Sequence, residues 1–158
     1  MRQEYIKKLG DVLTLALPIA LLPLIYFLNE SPSNLKYLAF FAGIYTLGNV
    51  IVQICKGIFD APRPRESQEH VIYVHGYSHK DGESCISGHA MSAALPAYFA
   101  LFFMHPLWLC IPFILLAWLC AWTRVKVKAH WPLDVIISNI IAFNLNLLLA
   151  YVLYVFKA

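Results

Sequence analysis

The residues best equipped for chemistry lie at Thr123-Arg124, His130 and Asp134, an arginine followed six positions later by a histidine and four after that by an aspartate. In so apolar a chain these groups are costly unless they face a polar partner together. The guanidinium of Arg124 is a planar fork that matches phosphate oxygens. Pro132 suits the first turn of a helix, and Asp134 just inside it can accept from one nitrogen of His130. The other nitrogen is then free to attack phosphorus. Two further blocks fit the same chemistry. Lys56 and Arg63-Pro64 supply cations which, beside Arg124, would repel one another without an anion between them. Ser87, before Gly88-His89, sits where a helix N-cap belongs, and the amides of Gly88 and His89 would extend the anion site. Gly88 also permits close backbone approach. His89 is left to protonate the departing group. The candidate catalytic residues are therefore His130, His89 and Asp134, and the candidate phosphate ligands Lys56, Arg63, Ser87, Gly88 and Arg124. Thr123 keeps a hydroxyl next to the clamp. Lys126 and Lys128, with Arg65 and Lys80, are secondary candidates, either for a second phosphate or for general attraction of anionic headgroups.

These residues must be positioned by membrane helices. Of 158 residues, 60% are hydrophobic and 13% charged, and the mean hydropathy of +0.64 is far from that of a soluble domain. The expected fold is all-α, a single domain over 1–158 built as a bundle of about five spans at 12–28, 35–55, 88–104, 107–122 and 132–156. An extramembrane loop at 57–87 lies on the active-site face. Five spans bring Lys56, Ser87, Arg124 and His130 to one side of the bilayer. Pro18 and Pro23 interrupt the first apolar run and no A-x-A-like site precedes Asn29-Glu30, so the first helix is read as retained rather than cleaved. Asn29 to Asn34 is turn-forming. Thr46, Asn49, Gln53 and Lys56 share one face of the second helix, a polar stripe serving helix contacts or leading to the site. Asn139 and Asn146 are read as helix-helix glue. Ala90, Ala94 and Ala97 form a small-residue face on the third span, and Trp108, Trp122 and Trp131 fit interfacial belts. His75 and His79 have zinc-compatible spacing, but there is no HExxH glutamate and Gly76 and Gly82 break a helix, so no metal is expected. The four cysteines show no CxxC or Cys/His metal spacing and carry no signal about redox compartment. With a net charge of only +3, no nucleic-acid partner is expected.

At the three blocks the chain resembles the type 2 phosphatidic acid phosphatase (PAP2) superfamily, whose signature reads K-x6-RP, PSGH and SR-x5-H-x3-D. Lys56, Arg63 and Pro64 match the first block, Ser87 to His89 the second and Arg124, His130 and Asp134 the third. Ile86 stands in place of proline and Thr123 in place of serine. The resemblance implies metal- and cofactor-independent hydrolysis of a lipid phosphate ester or diphosphate, a phosphohistidine on His130 and leaving-group protonation by His89. A phosphotransferase with the same intermediate, or a non-catalytic lipid-binding protein, is the alternative. It also implies a bacterial inner membrane with the site facing the periplasm, the placement adopted here. The charge bias opposes it, with Arg2, Lys7 and Lys8 on the active-site side against Lys36 and Lys157 opposite. Bacterial members usually have six spans, one more than this chain supplies. The expected partners are a phosphorylated lipid substrate and the bilayer.

Overall fold

The computed structural model describes residues 2–28, 34–64, 73–74 and 84–156, and five α-helices run through these described residues. Asn29 to Ser33, His70, His75, His79, Arg65, Lys80 and Lys157 lie outside them. Helix α1 (Arg2–Leu28) starts at Arg2 rather than near Val12. Its polar first turns hold good helix formers, and an i,i+4 pair between Glu4 and Lys8 at 2.9 Å adds a few tenths of a kcal/mol at this exposure. The extension sets Lys7 and Asp11 on a rigid rod. Helix α2 (Asn34–Ile58) runs past the expected Cys55 and ends with Lys56 in its last turn, where a cation suits the helix dipole.

A two-residue antiparallel ladder follows, with Phe59 opposite Val74 and Asp60 opposite Tyr73. It adds a single short pairing just past α2 to an otherwise helical architecture among the described residues.

Helix α3 (Gly88–Phe103) is the axis of the bundle. Almost every residue from Ala90 to Ala100 is buried, as expected of a helix apolar all round, and α1, α2, α4 and α5 all pack against it. Its alanines let the neighbours approach closely. Sixteen residues span roughly 24 Å at helical rise, short of a bilayer core, but a helix sheathed by others has no lipid thickness to match. A 3₁₀ turn (Leu107–Leu109) leads into α4 (Cys110–Lys126), and α5 (Pro132–Val155) completes the fold.

The four outer helices are each long and apolar enough to cross a membrane. They point Leu15, Ile19, Leu115, Ile140 and Leu148 outward, an apolar surface that a water-soluble monomer does not carry. The protein is an integral membrane helical bundle. Inside, Phe41 meets Phe99 edge-on at 5.1 Å, among buried Leu21, Ile25 and Met104.

Polar groups join the helices as the glue reading expects. The Ser92 hydroxyl donates to Asn49 Oδ1 at 3.0 Å, and Asn146 Nδ2 reaches Leu95 O at 3.4 Å. Asn139 instead donates within its own helix, to Val135 O. Thr46 and Gln53 face outward, so the α2 stripe does not climb to the site as a unit.

Candidate active site

The turn from α4 to α5 places the histidine. Helix α4 ends in a Schellman arrangement, with Ala129 N donating to Arg124 O at 3.0 Å and Lys128 N to Val125 O at 3.0 Å. Lys128 takes the left-handed position at φ 55°, which reverses the chain and returns His130 beneath the end of α4. The same Arg124 carbonyl also accepts from His130 N at 3.3 Å. Backbone and side chain of Arg124 thus address neighbouring parts of one site.

His130 is 6% exposed and Asp134 fully buried. His130 Nδ1 lies 3.2 Å from the Ser84 carbonyl oxygen and 3.7 Å from Asp134 Oδ2. Both neighbours can only accept, so Nδ1 carries the hydrogen and Nε2 the lone pair. Sequence reasoning assigns this orienting task to Asp134 alone, but the nearer acceptor is the Ser84 main chain. Asp134 Oδ2 is also held by the Ser84 hydroxyl at 2.6 Å and the Trp131 amide at 2.9 Å. Trp131 reaches back through Nε1 to Pro62 O at 2.9 Å, fastening the Arg63 segment to the start of α5. Its indole therefore has a positioning contact beyond the interfacial role.

Ser87 caps α3, accepting from Ala90 N at 3.2 Å. Its own amide donates to Ser138 Oγ at 3.0 Å, and Ser138 donates in turn to Asp134 O at 2.7 Å. The cap is thereby locked to the helix bearing Asp134.

His89, one residue into α3, places Nε2 3.1 Å from Asp11 Oδ1. The same oxygen lies 3.0 Å from Arg124 Nη1. Arg124 is 3% exposed, and its other nitrogens donate to Lys7 O at 2.7 Å and Thr123 Oγ1 at 3.3 Å. This close approach needs Gly10, where a Cβ would clash with Arg124 Nη2 and Thr123 Oγ1.

A cavity of about 440 Å³ opens over these groups, lined by Lys56, Arg63, Gly88, His89, Arg124 and His130 and closed on one side by α1. Of the sequence candidates, those six line it. Asp134, Ser87 and Thr123 stand behind them. Lys126 and Lys128 are exposed and do not line it, whereas Lys7 and Glu4 of α1 do. Sequence reasoning passed over Asp11, Ser84 and Ser138. A lone acid beside an apolar run was the available signal for Asp11. Ser84 acts partly through its carbonyl, which carries no residue-type signal. Positive charge gathered around a polar recess can bind an anion, and an imidazole with a free nitrogen can attack it.

A sequence model of the PAP2 superfamily matches residues 37–157, well over half of the chain. The chain belongs to the PAP2 superfamily. The matched region takes in every lining residue except those of α1, so the PAP2 signature and the cavity coincide. Similar in fold is the crystal structure of a transmembrane PAP2-type phosphatidylglycerolphosphate phosphatase from Bacillus subtilis. Its TM-score is 0.57 at 20% sequence identity, over 94% of this chain and 74% of that one. No curated protein matches the chain in sequence.

Next to the PAP2 site, Cys85 is buried, and burial, reinforced by neighbouring Cys55 and Asp134, pushes its thiol up to about 11. At pH 7.5 its thiolate fraction is then about 3 in 10⁴. Peptide mapping after maleimide treatment at that pH should find Cys85 unmodified in the native protein and modified after denaturation. Rapid native labelling would contradict its burial.

Proposed function

We propose that this PAP2 protein is a phosphatase that removes a phosphate from a lipid headgroup, as monoester or diphosphate, through a phosphohistidine on His130. The observation that carries the reading is the pinned Nδ1–H of His130, which leaves Nε2 with its lone pair at a cavity also lined by Lys56, Arg63, Arg124 and His89.

In the first step Nε2 attacks phosphorus, the P–O bond to the lipid breaks, and His89, as imidazolium, gives its proton to the departing oxygen. The positive charge on the phosphorylated imidazole is balanced by Asp134. In the second step water attacks phosphorus while neutral His89 takes the water proton. The P–N bond breaks, Nε2 recovers its electron pair, and inorganic phosphate leaves. Lys56, Arg63 and Arg124 stabilise the charge that builds on the equatorial oxygens in both steps, so the scheme needs no metal. Gly88 lines the cavity at the start of α3. The headgroup enters at the helix ends while the chains stay among the outward apolar faces. The name of the Bacillus subtilis neighbour makes a phosphorylated glycerolipid one substrate to try.

Purified protein in detergent should release phosphate from one or more of a panel of phospholipid, isoprenyl and lipid A phosphates with EDTA present, and His130→Ala should abolish release. Activity lost to EDTA, or retained by His130→Ala, would sink the scheme.

The periplasmic placement of the site rests on the family signature. It is tested by an exposed residue at the site end of α4, through Lys126→Cys. An impermeant maleimide should label this variant on intact spheroplasts above the parent background. Labelling only after lysis would put the site in the cytoplasm.

A further inference from the structure

The least expected group in the cavity is an acid. Asp11 comes from α1, outside the region that matches the family, and places one carboxylate oxygen against both His89 Nε2 and Arg124 Nη1, at 3.1 and 3.0 Å. A carboxylate in a phosphate site is repulsive toward the substrate and needs a compensating task.

That task follows from the charges around His89. A leaving-group acid must hold its second proton until the P–O bond breaks. Four cations face two carboxylates around the cavity, and Lys56, Arg63 and Arg124 all oppose another positive charge on the imidazole. Asp11 supplies the counter-charge in direct contact. It is itself fixed, because Arg124 grips α1 twice, at Asp11 Oδ1 and at Lys7 O, through the gap left by Gly10. Arg124 has five donor hydrogens and spends three on α1 and Thr123, so two remain for a phosphoryl oxygen. The side chains of His89 and Asp11 are 42% and 44% exposed, so the pair faces the cavity where the leaving oxygen would lie. Glu4, the other lining acid, is drawn toward Lys8 at 2.9 Å and does not compete for this place.

We propose that Asp11 is a positioning residue that favours the charged form of His89 and orients its ring toward the leaving group, with Arg124 holding Asp11 in place. The inference rests on the phosphatase reading with His89 as acid. During turnover Nε2–H stays on Asp11, which holds the ring, while the Nδ1 proton passes to the lipid oxygen and water returns a proton to Nδ1 in the second step.

Leaving-group dependence tests this. An alkyl phosphate leaves as a strongly basic alkoxide and needs the acid, whereas p-nitrophenyl phosphate leaves as a stable phenolate and does not. Asp11→Asn should lower kcat on a long-chain alkyl phosphate by about 10²-fold and lower kcat on p-nitrophenyl phosphate by a much smaller factor. Asp11→Glu should recover part of the alkyl rate. The ratio of the two rates in one preparation does not depend on the fraction correctly folded. Equal losses on both substrates, or a gain in kcat/KM, would overturn the proposal, the first by making Asp11 merely structural and the second by making it an obstacle. His89→Gln, assayed in parallel, separates the two levels. If it too shows no leaving-group selectivity, the assignment of His89 as acid has failed. If it is selective while Asp11→Asn is not, only the role of Asp11 has failed.

Discussion

The buried carboxylate of Asp134 is the contact on which the rest of the site depends. A carboxylate with no exposure is costly unless it is hydrogen-bonded, and the donors to its Oδ2 come from separate parts of the chain. The Ser84 hydroxyl brings in the segment before α3, and the Trp131 amide brings in the start of α5. Through Trp131 and Pro62 O the link reaches the Arg63 segment. Ser138, one turn along α5, accepts from the amide of Ser87 and donates to the carbonyl of Asp134. Removing Asp134 would therefore loosen three blocks at once as well as leave the His130 ring without its anion.

Around this hub the bundle solves a membrane problem. Apolar helices have no hydrophobic reason to associate within lipid, so close packing and a few hydrogen bonds must hold them. The alanine-rich α3 gives the packing, and the pairs Asn49–Ser92 and Asn146–Leu95 give the bonds. Helix α1 is held at the site end by Arg124 and Gly10 rather than by apolar contact alone. The extension of α1 beyond the apolar run thus has a chemical consequence, since it lays an acid and a lysine against the cavity.

Much of this was legible because charge is conspicuous in an apolar chain. Lys56, Arg63, His89, Arg124 and His130 stand out by type and spacing, and alternating spans already put them on one side. The rest was hidden for physical reasons. Asp11 lies just outside the apolar stretch, so the helix seemed to begin after it. Ser84 contributes a carbonyl oxygen, which any residue possesses. Lys126 and Lys128 looked close to Arg124 in sequence, but residues two apart on a helix face different ways. The left-handed turn at Lys128 carries that side chain outward.

In the proposed mechanism Nε2 of His130 forms the bond to phosphorus because Nδ1 is held as a donor. Nitrogen–phosphorus NMR coupling in the phosphoenzyme, trapped from ¹⁵N-histidine-labelled protein, reads this directly. Coupling to Nε2 of His130, absent in His130→Ala, is expected. Phosphorus on Nδ1, or on another residue, would contradict it.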